Sequence, residues 1–266
     1  MTTEPRSTAL VTGASGGIGW ALAELLAADG HDLVLVARQR QKLEQLSGLL
    51  RQRHATSSLV VEVDLARPDA ARAIVDRLAA DGLTIDILVN NAGFGVLGPF
   101  AERDLDRFLA MIQVNVVALT ALTRLLLPGM IARRRGRILN VSSTAAFQPG
   151  PLMAVYYATK AYVQSFSEAI ANELEGTGVT VTALAPGPTP TGFQAAAGMD
   201  SSLASRGPMV LETMAVARAG YAAMMQGRRV VVAGLANRIA AQAYRFLPRR
   251  TLTAFVRRFQ EGRESA

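Results

Sequence analysis

Short apolar runs alternate with helix-patterned stretches along most of this chain, and that alternation narrows the fold more than anything else in it. Thr8–Thr12 (TALVT), Leu33–Ala37 (LVLVA), Leu59–Val63 (LVVEV), Ile85–Val89 (IDILV), Arg137–Val141 (RILNV), Val179–Leu184 (VTVTAL) and Arg229–Ala233 (RVVVA) read as strands. Ile18–Ala28, Gln39–Arg53, Asp69–Ala80, Asp104–Arg134, the segment leading to Glu175, and Leu211–Met225 carry helical patterns. Strands that are apolar nearly end to end need cover on both faces, and a parallel sheet with crossover helices supplies it. The expectation is an α/β fold: a doubly wound parallel sheet of about seven strands, helices on both faces, with Asp104–Arg134 as one long helix.

Such a sheet binds ligands beyond the carboxyl ends of its strands, near the point where strand order reverses. The polar motifs fall at those ends. Gly13-Ala14-Ser15-Gly16-Gly17-Ile18-Gly19 follows the first strand and opens the first helix. Glycines there permit a tight turn and let backbone and helix N-terminus approach a pyrophosphate. After the second strand, an acid would hold the ribose diol of NAD(H). This chain has Arg38, then Gln39 and Arg40, and a cation favours the phosphate of NADP(H). Asp64 and Leu65 follow the third strand, placed to meet an adenine, and Asn90-Asn91-Ala92-Gly93 follows the fourth. Asn115 sits in an otherwise apolar helical stretch, where a buried amide needs partners. Pro186-Gly187-Pro188-Thr189-Pro190-Thr191 follows the sixth strand, and the small, polar residues up to about 210 read as a lid.

Composition removes other chemistries. There is no cysteine, hence no disulfide or thiol nucleophile, and His31 and His54 lie in no metal-ligating spacing, so no metal is expected. The formal charge is +7, but Arg228–Arg263 contains nine arginines and one acid, which is +8, leaving about −1 elsewhere. The basicity belongs to the C-terminal segment and gives no reason to expect nucleic-acid binding by the main domain. The opening residues MTTEPRSTAL lack an apolar signal region, and the two long uncharged stretches contain polar residues and prolines. A cytoplasmic protein is expected.

Tyr156 and Lys160 stand four residues apart, which puts them on one helix face, with Ser142 and Ser143 at the preceding strand end. A phenol ordinarily ionises near pH ~10, and a neighbouring cation favours the phenolate and suits it to proton transfer at an alcohol or carbonyl oxygen. Only Lys42 and Lys160 are lysine among 28 basic residues. Taken together, TGASGGIG (Thr12–Gly19), NNAG (Asn90–Gly93), Asn115, Ser143 thirteen residues before Tyr156, YxxxK (Tyr156–Lys160) and PG (Pro186–Gly187) resemble the short-chain dehydrogenase/reductase family, in its compact single-domain branch, over about residues 8 to 233.

The resemblance implies a Rossmann-type catalytic domain over residues 1–233, with a basic amphipathic extension over 234–266. It implies catalysis by Tyr156 as general acid or base and Lys160 as the cation that lowers its pKa and binds the nicotinamide ribose. Ser143 would hold the substrate oxygen, and Asn115 a water linking Lys160 to solvent. Gly13, Ser15, Gly17, Ile18 and Gly19 would border the phosphates. Asp64 and Leu65 would flank the adenine, and Asn90, Ala92 and Gly93 the adenosine ribose side. Pro186, Gly187, Thr189 and Thr191 would position the nicotinamide. Spacing to Lys160 selects Tyr156 over Tyr157, and spacing to Tyr156 selects Ser143 over Ser142. Ser15 stands where some NADP-binding relatives have a basic residue, so the NADP(H) expectation over NAD(H) rests on Arg38, with Arg40 as a helper.

The implied activity is reversible hydride transfer between NADP(H) and a small-molecule carbonyl or secondary alcohol, in a homodimer or homotetramer. A catalytically idle NADP-binding regulator on the same fold and an NAD-dependent alcohol dehydrogenase are the alternatives. In the extension, Leu235, Ile239, Ala243, Phe246 and Leu247, then Leu252, Phe255, Val256 and Phe259, form apolar stripes interleaved with arginines. They suit packing on the core or a subunit, or peripheral contact with an anionic membrane. The resemblance to family members that carry similar extensions and act on long-chain acyl or steroid substrates implies an apolar substrate, 3-oxoacyl, steroid-like or another ketone or aldehyde.

Overall fold

The computed structural model describes residues 6–198 and 209–264. In chain order its elements are β1 (Thr8–Thr12), α1 (Gly17–Ala28), β2 (Asp32–Ala37), α2 (Arg40–His54), β3 (Ser58–Glu62), α3 (Ala70–Ala80), β4 (Ile87–Asn90), α4 (Leu105–Ile112), α5 (Leu119–Ala132), β5 (Gly136–Val141), α6 (Ala154–Glu173), β6 (Val179–Ala185), α7 (Phe193–Ala197), α8 (Thr213–Met225), β7 (Val230–Val232), α9 (Leu235–Ala243) and α10 (Arg249–Glu264). The strands form one parallel sheet of seven in the order β3-β2-β1-β4-β5-β6-β7. Strand order reverses between β1 and β4, so the crevice for a ligand opens there.

Successive strand residues point to opposite faces, and here both sets are apolar. Ala9, Val11, Leu33 and Leu35 face one layer with Leu22, Leu26, Leu43, Leu46 and Val216, which come from α1, α2 and α8. Leu10, Val34 and Val36 face the other with Ile74, Leu78, Leu122 and Met130, from α3 and α5. Each fully buried leucine or isoleucine contributes about 1.5–3 kcal/mol relative to exposure.

The long helix expected from Asp104 to Arg134 runs without a break from Leu105 to Ala132, but its hydrogen-bonding pattern changes midway. A π-helical stretch, Gln113–Ala118, separates α4 from α5. Such a bulge adds a residue to the turn and commonly marks a functional site. It lets Asn115 turn inward: Asn115 Nδ2 donates to Phe94 O (3.0 Å) and Thr159 Oγ1 (3.1 Å), and Phe94 N donates to Asn115 Oδ1 (3.1 Å). The span Leu105–Ala132 is long and apolar enough to cross a membrane by composition, yet Phe108, Met111, Leu119, Leu122 and Met130 are buried within the fold.

A third apolar cluster lies off the sheet. Leu252 and Val256 of α10 pack with Tyr156, Tyr157, Met153, Phe108 and Leu97. The α9 helix is held beside the loop after β6: Asn237 Nδ2 donates to Ala233 O (2.9 Å) and Met209 O (3.0 Å), and a Cβ on Gly187 would fall 2.4 Å from the Asn237 amide. Of the expected lid, residues 193–197 are helical, and 199–208 lie outside the described residues.

Candidate active site

A cavity of about 1610 Å³ runs across the carboxyl ends of the strands, from the β2 end to the C-terminal helices. Its first half is made of turns. Gly13 leaves β1 with φ +67°, and a Cβ there would fall 2.7 Å from Asn91 Nδ2. Asn91 Nδ2 donates to Thr12 O (2.9 Å) and Gly13 O (3.2 Å), while Thr12 Oγ1 accepts from Asn91 N (3.0 Å) and Ala92 N (3.1 Å). The turns after β1 and β4 are thus sewn together at the reversal point. The α1 helix begins at Gly17 with no acidic residue in its first turn, which leaves its N-terminal N–H groups and partial positive charge to an anion. Thr191, from the loop after β6, reaches back over this turn: a Cβ on Gly17 would meet Thr191 Cγ2 at 3.0 Å.

Arg38 stands at the end of β2, 3.9 Å from Asp64 across an exposed gap. An exposed pair of this length contributes little to stability, so Arg38 is not tied down. Lys42, in the first turn of α2, lines the same end of the cavity. The glycine turn, the open helix end and this pair of cations fit the phosphates of a nicotinamide dinucleotide.

The second half gathers hydroxyl, phenol and ammonium side chains. Tyr156, Lys160, Ser142 and Ser143 all line it. Lys160 is buried, its Nζ donates to Val141 O (2.8 Å), and it lies 5.8 Å from the Tyr156 ring centre. Burial lowers its pKa to about 8 by penalising the charged form. Ser142 Oγ donates to Lys160 O (3.1 Å), so that hydroxyl is spent on the helix. Ser143 is extended at the head of a short helical turn, and its Oγ accepts from Ala145 N (3.1 Å). Phe193 tilts against Tyr156 with ring centres 5.1 Å apart. Tyr157 meets Tyr156 edge-on and accepts a buried hydrogen bond from Gln260 Nε2 (2.7 Å) of α10.

Gly13, Ser15, Gly17, Ile18, Arg38, Asp64, Leu65, Ala92, Gly93, Ser143, Tyr156, Lys160, Pro186, Gly187, Thr189 and Thr191 all line this one cavity. Asn90, Gly19 and Asn115 do not. The buried Asn90 side chain donates to Asn140 Oδ1 (2.9 Å) and Thr123 Oγ1 (3.1 Å) within the core. Its neighbour Asn91 holds the lining position. Gly19 serves close packing, since a Cβ there would lie 2.4 Å from Gly13 O. Asn115 sits behind the wall, where a Cβ on Gly93 would meet both its Oδ1 (3.0 Å) and Lys160 Nζ (3.4 Å). Lys42 was discernible as the cation four residues beyond Arg38. Gln148, Tyr244 and Gln260, which line the far end, had no local signal.

A family model described as short chain dehydrogenase matches residues 7–201. A short chain dehydrogenase of Pseudocercospora fijiensis is 40% identical over 182 residues, covering 68% of this chain and 59% of its own. The human very-long-chain 3-oxoacyl-CoA reductase is 39% identical over 182 residues, covering 67% of this chain and 58% of its own. The chain thus spans less than two-thirds of the length of the curated relatives it matches. Among solved structures, a short-chain dehydrogenase from Sphingobium yanoikuyae in complex with NADPH superposes with a TM-score of 0.81 at 35% identity, covering 89% of this chain and 92% of that one.

Proposed function

The chain belongs to the short-chain dehydrogenase family, and on that premise we propose that it is an NADP(H)-dependent oxidoreductase interconverting an apolar carbonyl compound and its secondary alcohol. One observation carries the reading: Tyr156, Lys160 and Ser143 line the same cavity as the glycine turn and its two cations, Arg38 and Lys42. The nicotinamide, when bound, supplies or accepts the hydride. In the reductive direction, Tyr156 donates a proton to the oxygen of the carbonyl as that oxygen gains charge, and Ser143 holds the same oxygen by a hydrogen bond. Lys160 favours the phenolate that remains, since a nearby cation stabilises the charged form. Asn115 ties the Phe94 backbone to Thr159 behind the lysine, by hydrogen bonds to both.

The apolar substrate is supported by the walls beyond Tyr156, where Phe94, Met153, Phe193, Leu247, Phe255 and Val256 gather. The names of the 3-oxoacyl-CoA reductases among the relatives make long-chain 3-oxoacyl thioesters the first class to try. Preference for NADP(H) is supported by Arg38 and Lys42, with no acid at the β2 end to hold a ribose diol. We place the protein in the cytoplasm as a homo-oligomer. The exposed stripe of Leu105, Leu109, Ile112 and Val117 along α4 and the π-helical stretch is the face for a second copy.

Fluorescence titration with NADPH and NADH, followed by turnover assays on 3-oxoacyl thioesters, ketosteroids, quinones and aldehydes, tests the reading. Tighter NADPH binding with turnover of one class is the expected result. Tight NADPH binding with no turnover on any class would favour the idle regulator.

A further inference from the structure

The apolar stripe of α10 is wider than the protein covers. At 100° per residue, Leu252, Val256 and Gln260 form the side turned to the core, and each is 2% exposed or less. Phe255 and Phe259 continue the same stripe, 62% and 50% exposed. The preceding segment repeats the pattern. In α9, Asn237 and Ala241 are buried, while Leu235 and Ile239 are 64% and 60% exposed, and Phe246 beyond it is 86% exposed. Arg238, Arg249, Arg250, Arg257 and Arg258 are exposed around these side chains. Residues 235–264 contain seven arginines and two glutamates, a net of +5.

We propose that this face, centred on Ile239, Phe246, Phe255 and Phe259, docks the protein on the surface of an anionic phospholipid bilayer. Aromatic and aliphatic side chains among arginines are the chemistry of a helix lying in a lipid interface, and the charge complements acidic headgroups. A second copy fits less well: a two-fold contact apposes the same patch on both subunits, and +5 would meet +5. The inner half of the stripe is already held by the core, so docking uses a surface already formed and needs no refolding of the tail. Leu247, Phe255 and Phe259 both line the cavity and stand at least 45% exposed, so the cavity's rim lies on the docking face. If the reductase reading holds, an apolar substrate dissolved in the bilayer reaches Tyr156 across that rim.

The test is co-sedimentation of the full chain with phosphatidylcholine vesicles, with and without phosphatidylserine. The comparison protein is Ile239→Ser/Phe246→Ser, whose altered residues lie outside the cavity lining. NADPH binding and a thermal transition report whether each protein is folded, so a failure of the cofactor reading is seen separately from a failure of docking. The expected result is at least about tenfold tighter association with the phosphatidylserine vesicles. Raised salt should abolish it, because screening shortens the reach of the arginines. The serine variant and a charge reversal, Arg249→Glu/Arg250→Glu, should both lose it. Equal recovery of wild type and variants in the supernatant would overturn the proposal. So would binding that ignores headgroup charge. A wild-type mass in sedimentation velocity that halves in the serine variant, without vesicle binding, would assign the face to a second copy and overturn it equally.

Discussion

The two ends of the cavity are built differently. At the cofactor end, position is set by backbone: the glycine turn after β1, the free N-terminus of α1, and the cross-stitching of Thr12 to Asn91 and Ala92. At the substrate end, position is set by side chains that meet across the chain. Gln260 reaches Tyr157 from 103 residues away, and Leu252 and Val256 close over Met153 and Phe108. A backbone cradle for a phosphate tolerates only glycine at its tightest points, so it leaves a local motif. A wall of packed side chains accepts any set that fills the volume, so it leaves none. The difference teaches where specificity can drift in such a fold: in the tail, with the cofactor end unchanged.

Separating the two ends by mutation should sharpen this contrast. The largest effect is expected at their junction. Tyr156→Phe should lower kcat by about 10³-fold, the scale of general acid catalysis, with NADPH affinity nearly unchanged. Equal kcat in the variant would remove the proton-transfer role. Next is the cofactor end alone. Arg38→Asp should shift the NADPH-to-NADH preference by about 10²-fold, measured by titrating both nucleotides, because a charge-assisted phosphate contact is replaced by repulsion. An unchanged ratio would move the phosphate site away from β2. At the substrate end, Val256→Ala should raise KM for an apolar ketone by about tenfold, one step of 1.4 kcal/mol, and leave the NADPH affinity alone. A parallel loss of nucleotide binding would show that the two ends are not separable.

The smallest effect concerns Lys160. Its folded pKa of about 8 lies below its ordinary value of 10.5, because burial penalises the charge. The unfolded chain therefore binds more protons across that window, and stability rises with pH between about 8 and 10.5. The unliganded Lys160→Met variant lacks this term. Its Tm advantage over wild type should be greatest below pH 8 and narrow as pH rises towards 10.5. A constant gap would mean that the lysine is not desolvated.

The sheet and its order of elements were legible because the strands are apolar nearly end to end and each crossover has helical periodicity. The glycine turn, Arg38, Ser143, Tyr156 and Lys160 were legible because each falls at a strand end or at a fixed helical spacing. The choice between Ser142 and Ser143 came from spacing alone, and the bond from Ser142 Oγ to Lys160 O supplies a physical reason for it. What escaped was non-local. The π-helical stretch leaves no mark in the pattern MIQVNVVAL, since the extra residue is absorbed by hydrogen bonds to Phe94 and Thr159. Asn90 and Asn91 are identical in type, and only the sheet's geometry turns the first into the core and the second towards the cavity. The tail's stripes suited either core packing or an interface, and the structure lays their inner half on the core.

The most direct single measurement follows the hydride itself. NADPH deuterated at C4 of the nicotinamide, incubated with the protein and a long-chain 3-oxoacyl thioester, should give a 3-hydroxyacyl product carrying deuterium on the carbinol carbon, detected by mass spectrometry. The same incubation with Tyr156→Phe should give almost none. Bound NADPH with no deuterium in any alcohol product, across the thioester, ketosteroid and aldehyde panel, would contradict the assignment of this cavity to hydride transfer.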